Sequence, residues 1–158
     1  MCNIVDKCDI CGREIKSDEI EYTNSNNICI LHCNKDDWYE KKGNHKDWTK
    51  SKNKVMFFWK KVRSIIDNEF KSELYQRGAT LDFERTIFPI FEEKKEEIEE
   101  NPDGTISRIE WHHNFVDMST PNRTIENDDD YFINIRFDFN HSEFLDDVNF
   151  NNYDFKEY

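Results

Sequence analysis

Two pairs of cysteine and histidine residues near the N-terminus have the spacing of metal ligands. Two residues separate Cys8 from Cys11, and after seventeen further residues Cys29 and His32 repeat that spacing. Thiolates and imidazoles are the ligands of structural zinc sites, and two short-spaced pairs can surround one ion tetrahedrally. We therefore predict a zinc site formed by these four residues. With four protein ligands the site is closed, so we expect the metal to stabilise the fold and not to activate water.

The identity of the fourth ligand is open, because Cys33 follows His32 directly. A Cys-x3-Cys ending would close the site equally well, although we expect His32 to be the ligand, and iron is an alternative to zinc. All five cysteines lie in the first 33 residues, an odd number that metal ligation in a reducing compartment explains better than disulfides do. The chain has no apolar signal segment and no run of about 18 apolar residues, so the predicted location is cytoplasmic.

Histidines later in the chain suggest one catalytic alternative. His112 and His113, followed by Asn122 and His141, supply the residue types of a His-Asn-His nuclease. Such a site needs a metal-binding histidine pair shaped by a compact hairpin and helix, whereas neighbouring residues of a strand lie on opposite faces. We therefore predict a non-enzymatic protein without catalytic residues, and a zinc-supported, metal-dependent nuclease is the competing hypothesis.

The elements between the ligand pairs must bring them together, and the sequence predicts a hairpin there. Its strands are expected near residues 19–22 and 28–30, joined by an asparagine-rich turn. A helix is expected to follow through residues 36–39 and to end at Gly43. This order is typical of a zinc-ribbon or treble-clef-like module, which we assign to residues 1–45.

Residues 51–77 have the pattern of a long amphipathic helix, which forms the second unit of the chain, residues 46–78. Apolar residues recur there at steps of three and four, and Gly78 stands where a helix commonly ends. The polar face continues a basic run that covers residues 41–61. Since no groove geometry accompanies this run, we interpret it as a solvated face and do not expect direct nucleic-acid binding.

Residues 79–158 are predicted to form an acidic β region. Apolar alternation and bounding turn residues predict three strands, over residues 81–91, 105–116 and 131–139. A turn is predicted at residues 101–104. The glutamate-rich residues 92–100 are predicted to be a short exposed helix or a flexible segment. The chain as a whole is therefore predicted to be an α+β protein.

Four phenylalanines near the C-terminus recur at steps of five, six and five: Phe139, Phe144, Phe150 and Phe155. Residues 141–156 resemble the phenylalanine-centred variant of the pentapeptide repeat family, and residues 80–89 resemble a first strand of the same kind. The resemblance implies a right-handed quadrilateral β-helix with inward phenylalanines. Four inward positions make one coil, whereas repeat folds need about three repeats. We therefore expect the exposed edge at residues 146–158 to self-associate or to dock a partner.

Charge separates the two halves of the chain. Residues 1–78 contain 15 basic and 13 acidic side chains, whereas residues 79–158 contain 7 and 21, a net charge of −14. Some pentapeptide repeat proteins present an acidic surface that imitates a nucleic-acid duplex. The resemblance therefore implies an inhibitor of a basic, nucleic-acid-binding protein, and a structural segment of a longer repeat protein is the other alternative. The predicted partner-binding residues are Asp128, Asp129, Asp130, Glu143, Asp146 and Asp147.

Overall fold

The computed structural model describes residues 6–71, 80–114 and 136–147, and it shows a mixed α+β chain with two helices and small sheets. Helix α1 spans Ser17–Thr23, and helix α2 spans Lys52–Lys71 directly after a 3-10 turn at Thr49–Ser51. The described strands are β1 Glu40–Lys42, β2 His45–Asp47, β3 Thr80–Asp82, β4 Ile87–Phe88, β5 Glu92–Glu100, β6 Ile106–Asn114, β7 Arg136–Asp138 and β8 Glu143–Phe144. The predicted α+β class is thus confirmed.

Each sheet of the described chain contains two strands. Strands β1 and β2 form one antiparallel hairpin, and β5 and β6 form another. Strand β3 pairs with β7 and β4 pairs with β8, both in parallel. Over the described residues these sheets do not close into a β-helix.

Residues 19–22, predicted as a strand, lie in α1 instead. Asp18 and Glu19 stand in the first turn, where acidic side chains offset the partial positive charge of the helix N-terminus. Asn24 ends the helix in the left-handed conformation, with φ of 52°, and its N–H donates to the carbonyl of Ile20. Residues 28–30 form no strand either. The hairpin prediction was wrong because these local helix signals outweigh the β preference of the isoleucine and tyrosine residues.

The helix predicted over residues 36–39 is also wrong, since a turn there leads into the β1–β2 hairpin. Gly43, expected to end that helix, lies in the hairpin turn with φ of 62°, which glycine adopts without strain. Trp38 is buried, and the Tyr39 ring packs on Trp48 with centroids 4.9 Å apart. Tertiary packing of these rings therefore decides the conformation of the segment.

Helix α2 is the predicted amphipathic helix, and it supplies the centre of the core. Its buried stripe consists of Val55, Phe58, Trp59, Val62 and Ile66. These residues are spaced three and four apart, so they lie on one face of the helix. The prediction is confirmed as far as Lys71, and residues 72–77 lie outside the described part. Within the described ranges no helix combines the length and the apolar character that crossing a bilayer requires.

The parallel strand pairs stack two segments, which we call the lower rung (residues 80–88) and the upper rung (residues 136–144). Strands β3 and β4 belong to the lower rung, and β7 and β8 belong to the upper rung. Both pairs keep one register, in which each residue lies opposite the residue 56 positions later. The two rungs are therefore aligned copies, although the chain between them includes the β5–β6 hairpin.

Phenylalanine rings stack between the rungs. Phe83 lies on Phe139 with centroids 6.0 Å apart, and Phe88 lies on Phe144 with centroids 4.7 Å apart, and the rings of each pair are nearly parallel. Phe83 and Phe88 are buried. Phe88 also meets Phe58 of α2 edge to face, with centroids 5.7 Å apart. The rung phenylalanines thus join the core that α2 forms.

Both rungs turn in the same way. Arg85 and His141 occupy equivalent positions, and both are left-handed, with φ of 57° and 58°. The N–H three residues after Phe83 and the N–H three residues after Phe139 donate back to the carbonyl of that phenylalanine, at 3.1 and 3.0 Å. The two segments therefore repeat one strand–turn–strand unit.

Residues 92–100, predicted as a helix or flexible segment, form strand β5, which pairs over nine residues with β6. The turn predicted at residues 101–104 is confirmed, since the N–H of Gly104 donates to the carbonyl of Asn101 (2.9 Å). The strand predicted over residues 105–116 is confirmed as far as the described chain extends. Pairing with β6 outweighs the weak β propensity of glutamate and lysine.

Thr86 and Ser142 occupy equivalent rung positions, but their hydroxyl groups differ in hydrogen bonding. This difference can be tested by substitution. Ser142 Oγ donates to the carbonyl of Phe83 (2.7 Å), whereas the buried Thr86 Oγ1 has no partner among the described residues. We predict that Thr86→Val raises the free energy of unfolding by about 1 kcal/mol, because an unpaired buried hydroxyl is costly, and that Ser142→Ala lowers it by about 1 kcal/mol. Chemical denaturation measures both changes. Destabilisation by Thr86→Val would contradict the interpretation that the buried Thr86 hydroxyl has no partner among the described residues.

Candidate metal centre

A tight turn positions Cys8 and Cys11. The N–H of Gly12 donates to the carbonyl of Cys8 (2.8 Å), and Gly12 has φ of 69°, which residues with a side chain rarely adopt. The N–H of Cys8 donates to the carbonyl of Arg13 (2.8 Å) and closes the turn. The Cys-x2-Cys spacing thus brings both sulfurs to one site, as predicted.

A second turn carries Cys29 and His32, and a buried carboxylate holds it in place. The N–H of His32 donates to the carbonyl of Cys29 (3.0 Å). Between them, the N–H of Ile30 donates to Glu19 Oε1 (2.8 Å), and Lys61 Nζ donates to Glu19 Oε2 (2.9 Å). Glu19 is fully buried. Its carboxylate therefore links α1, the Cys29–His32 turn and α2. The sequence does not distinguish Glu19 for this role, because other acidic residues lie close to it.

The four predicted ligands converge, and their donor atoms lie within 4.8 Å of one another. The sulfurs of Cys11 and Cys29 are 3.8 Å apart, and the Cys8 sulfur lies 3.6 Å from His32 Nδ1. A tetrahedral zinc ion at ordinary bond lengths needs sulfur–sulfur edges of about 3.8 Å and sulfur–nitrogen edges of about 3.6 Å. The Cys29 sulfur lies closer to Nδ1, at 3.1 Å, as hydrogen-bonded groups do. The cluster can therefore bind a metal ion once its more widely spaced donor atoms move closer together.

The cluster already favours anionic sulfur. A hydrogen bond with Cys29 lowers the pKa of Cys11 to about 3, and the same interaction raises the pKa of Cys29. The pair therefore favours one anionic sulfur that shares the proton of its neighbour. Metal ligation needs thiolates. A cation bound among the sulfurs would take the place of that shared proton.

The imidazole of His32 faces the cluster with one nitrogen and the lower rung with the other. Its Nε2 lies 3.1 Å from the carbonyl oxygen of Glu84. Since a carbonyl oxygen only accepts hydrogen bonds, Nε2 carries a proton, and in the neutral ring Nδ1 keeps its lone pair towards the sulfurs. Metal-ligating histidines commonly donate from their second nitrogen in this way.

Cys33, the alternative fourth ligand, makes its contacts elsewhere. Its sulfur lies 3.5 Å from the carbonyl of Ile30 and 3.8 Å from Lys35 Nζ. Lys35 is itself buried, donates to the carbonyls of Ile30 and Cys33, and lies 5.1 and 5.0 Å from the ring centroids of Trp38 and Phe58. Burial lowers the pKa of Lys35 to about 8. Cys33 thus belongs to the packing around Lys35, and the structure brings His32 into the cluster.

The predicted partner-binding residues differ in their surroundings. Glu143 and Asp147 are exposed. Asp146 is half-buried and accepts a hydrogen bond from Trp48 Nε1 (2.7 Å), so it holds the chain after the upper rung against the residue that follows the β1–β2 hairpin. The other three residues lie outside the described part of the chain: Asp128, Asp129 and Asp130.

The residues of the nuclease hypothesis lie on separate elements. The backbones of His112 and His113 pair with Lys94 and Glu93 in the β5–β6 hairpin. His141 is the left-handed residue of the upper rung. Asn122 lies outside the described residues, so the hypothesis stays a prediction.

No family model matches the chain, and comparisons with curated proteins and with solved structures find no similar protein. The resemblance to the pentapeptide repeat family and the proposed unit boundaries therefore stay predictions. The metal centre is interpreted from its own residues.

The buried Glu19 carboxylate yields a prediction about stability. Glu19→Gln keeps an oxygen for the N–H of Ile30 but removes the charge that pairs with Lys61, whose side chain is only 17% exposed. We expect the free energy of unfolding to fall by about 2 kcal/mol, the scale of a hydrogen bond to a charged group. The exposed Glu21→Gln in the same helix is the control, with a change below about 0.5 kcal/mol. Equal effects of the two variants in urea denaturation would contradict this role.

Cobalt(II) binding tests the ligand set, since this ion reports tetrahedral thiolate coordination by its visible absorption. We expect one ion per chain for the wild type and for Cys33→Ser, because Cys33 lies outside the cluster. Cys11→Ser removes a thiolate and should weaken binding by more than the roughly 10–100-fold caused by loss of an outer partner. Strong loss in Cys33→Ser with retention in Cys11→Ser would reverse the assignment.

Proposed function

We propose that this chain is a non-enzymatic, zinc-stabilised binding protein whose acidic C-terminal half binds a basic, nucleic-acid-binding protein and inhibits it by imitating nucleic acid. The observation that carries the proposal is the unequal use of charge. Several basic side chains of the first half form ion pairs within the chain, whereas acidic side chains in the described part of the second half are exposed in excess.

Ion pairs neutralise much of the basic run in residues 41–61. Lys42 pairs with Asp47, Lys54 Nζ lies 3.7 Å from Asp37, and Lys61 pairs with the buried Glu19. These partners supply the negative charge that a phosphate would otherwise supply. The pairing therefore supports a solvated, partly neutralised face more than a nucleic-acid-binding one.

The second half presents acidic groups to solvent. The β5–β6 hairpin with its turn, residues 92–114, contains eight acidic and three basic residues. Exposed acidic residues of the described part include Asp82, Glu99, Glu100, Asp103, Glu143 and Asp147. A surface of one sign attracts a partner of opposite sign and accelerates its association. A basic protein surface is therefore the partner that this half fits best.

Zinc is the metal we propose for the cluster. Three sulfurs and one imidazole nitrogen are soft ligands that suit zinc and exclude the harder magnesium and calcium ions. Four protein donors complete a tetrahedron, so the bound metal would supply folding energy. This chemistry agrees with a binding protein and assigns the metal no step in a reaction.

The rungs support the repeat part of the proposal. They run in parallel, keep one register, turn at equivalent left-handed residues and stack their phenylalanines. A repeat wound around an axis has these features. We propose that they begin a coil of the kind that the pentapeptide resemblance implies, and that the edge beyond the upper rung self-associates or docks the partner.

Native mass spectrometry of the tagged chain, recovered from a lysate of its own host, tests the proposal first because it reports metal, stoichiometry and partner together. We expect one zinc ion per chain and a basic, nucleic-acid-binding protein. Affinity for that purified partner should fall at least about tenfold between about 0.05 and 0.3 M salt, and duplex DNA should compete.

A charge-matched pair of variants shows which half binds. Glu99→Gln with Glu100→Gln should weaken partner binding severalfold, whereas Glu14→Gln with Glu21→Gln, equally exposed in the first half, should leave it unchanged. Tight binding that ignores salt would count against the proposal. Metal-dependent cleavage of plasmid or single-stranded DNA by the purified chain would favour the nuclease instead.

A further inference from the structure

Three backbone groups of the lower rung face the ligand segment (residues 6–33), and each has a partner there. The contacts are Arg13 Nη2 donating to the carbonyl of Asp82 (2.7 Å), His32 Nε2 donating to the carbonyl of Glu84 (3.1 Å), and the N–H of Ile87 donating to the carbonyl of Leu31 (2.8 Å). An edge strand presents such groups unpaired unless another element covers them.

The upper rung has the same three groups, and the lower rung satisfies them. The contacts are Phe83 N–H to Asp138 (2.8 Å), Arg85 N–H to Asn140 (2.9 Å) and Glu143 N–H to Thr86 (2.9 Å). The next donor, the N–H of Leu145, reaches the carbonyl of Phe88 (2.9 Å). Its lower-rung counterpart is Pro89, which has no N–H and needs no partner. The ligand segment therefore replaces a rung, group by group.

We infer that His32 couples metal binding to docking of the lower rung, so that metal occupancy strengthens the hold of the ligand segment on the two rungs. This coupling rests on the metal site of the proposed function and extends it to control of the acidic half. His32 acts here as a positioning residue, because it contacts the rung through the nitrogen that does not face the sulfurs.

The physical reason lies in the two nitrogens of one ring. A metal held at His32 Nδ1 keeps the proton on Nε2 and fixes the ring plane, so the donor stays aimed at Glu84. Without metal, the ring is held at Nδ1 only by hydrogen bonding with the Cys29 sulfur 3.1 Å away, so it can turn about its side-chain torsions. The Glu84 carbonyl then loses its donor. The other two contacts involve no metal ligand, so they hold the rung whether or not metal is bound.

His32→Cys tests the coupling, because it keeps four soft ligands and removes the ring that donates to the rung. Cobalt(II) absorption measures metal loading, and hydrogen exchange followed by mass spectrometry measures docking of residues 80–88. We expect one ion per chain, about tenfold faster exchange in the lower rung, and unchanged exchange in α2. Removal of metal from the wild type by a chelator should accelerate lower-rung exchange at least as much.

Cys8→His is the matched control, since it also exchanges one soft ligand for another but leaves His32 in place. It should bind metal and keep wild-type exchange in the lower rung. Wild-type exchange in metal-loaded His32→Cys would overturn the inference and leave the metal site standing. A wild type that binds no metal would overturn the zinc part of the proposed function as well.

Nitrogen-15 NMR of the wild-type His32 ring keeps the inference testable if His32→Cys does not fold. In the metal-loaded chain we expect a metal-shifted Nδ1 and a slowly exchanging proton on Nε2, and chelation should make that proton exchange rapidly. A metal-loaded ring that is coordinated through Nε2, or that carries no protected proton there, would overturn the inference.

Discussion

The first strand of a parallel stack must find partners for the backbone groups on its outer edge, and the structure depends on how this chain meets that constraint. The lower rung is buried at Leu81, Phe83 and Phe88, so its neighbouring polar groups cannot all rely on water. The ligand segment supplies a guanidinium, an imidazole and a carbonyl at the required places. A segment of irregular conformation thereby serves as the start of a regular stack.

The ligand segment can do this only if its own polar interior is fixed. Glu19, His32 and Lys35 are all buried, and each buried polar group is costly unless its hydrogen bonds are made. Glu19 and Lys35 make those bonds to backbone groups of the Cys29–His32 turn and its neighbours. A metal ion among the four ligands would add strong bonds at the same turn. The buried charges and the rung contacts therefore stabilise one local structure, which a bound metal would stabilise further.

The spacing of residues in the sequence was sufficient to predict those parts of the structure that depend on local geometry. The two ligand pairs and α2 follow from spacings of three and four residues, and both predictions agree with the structure. The choice between His32 and Cys33 was open because it depends on Lys35 and Glu84, which the turn meets only in the folded chain. Helix α1 was missed because seven residues carry a weak periodic signal, and its decisive contact, Glu19 to Ile30, is tertiary.

The rungs carry a signal that a search for regular spacing overlooks. Leu-Asp-Phe at residues 81–83 and Phe-Asp-Phe at residues 137–139 are each followed, five residues after the last phenylalanine, by another phenylalanine. A separation of 56 positions conceals this repeat, because the β5–β6 hairpin lies between the copies. In both copies the aspartate accepts a hydrogen bond from the backbone N–H two residues later, at 2.8 and 2.9 Å. The aspartates therefore fix the turn, and the phenylalanines fix the stacking.

The acidic half makes these anchors more important than they would be in a neutral chain. Its net charge of −14 causes repulsion among its acidic side chains, and this repulsion opposes compaction. The rungs resist that repulsion by packing on α2 and through contacts at both ends of the stack. The ligand segment holds the lower rung, and beyond the upper rung Lys46 and Trp48 donate to the Leu145 carbonyl and the Asp146 carboxylate. With both ends tied to the first half, the described part of the acidic half exposes its acidic side chains in fixed positions, and fixed positions would reduce the entropy cost of binding the proposed partner.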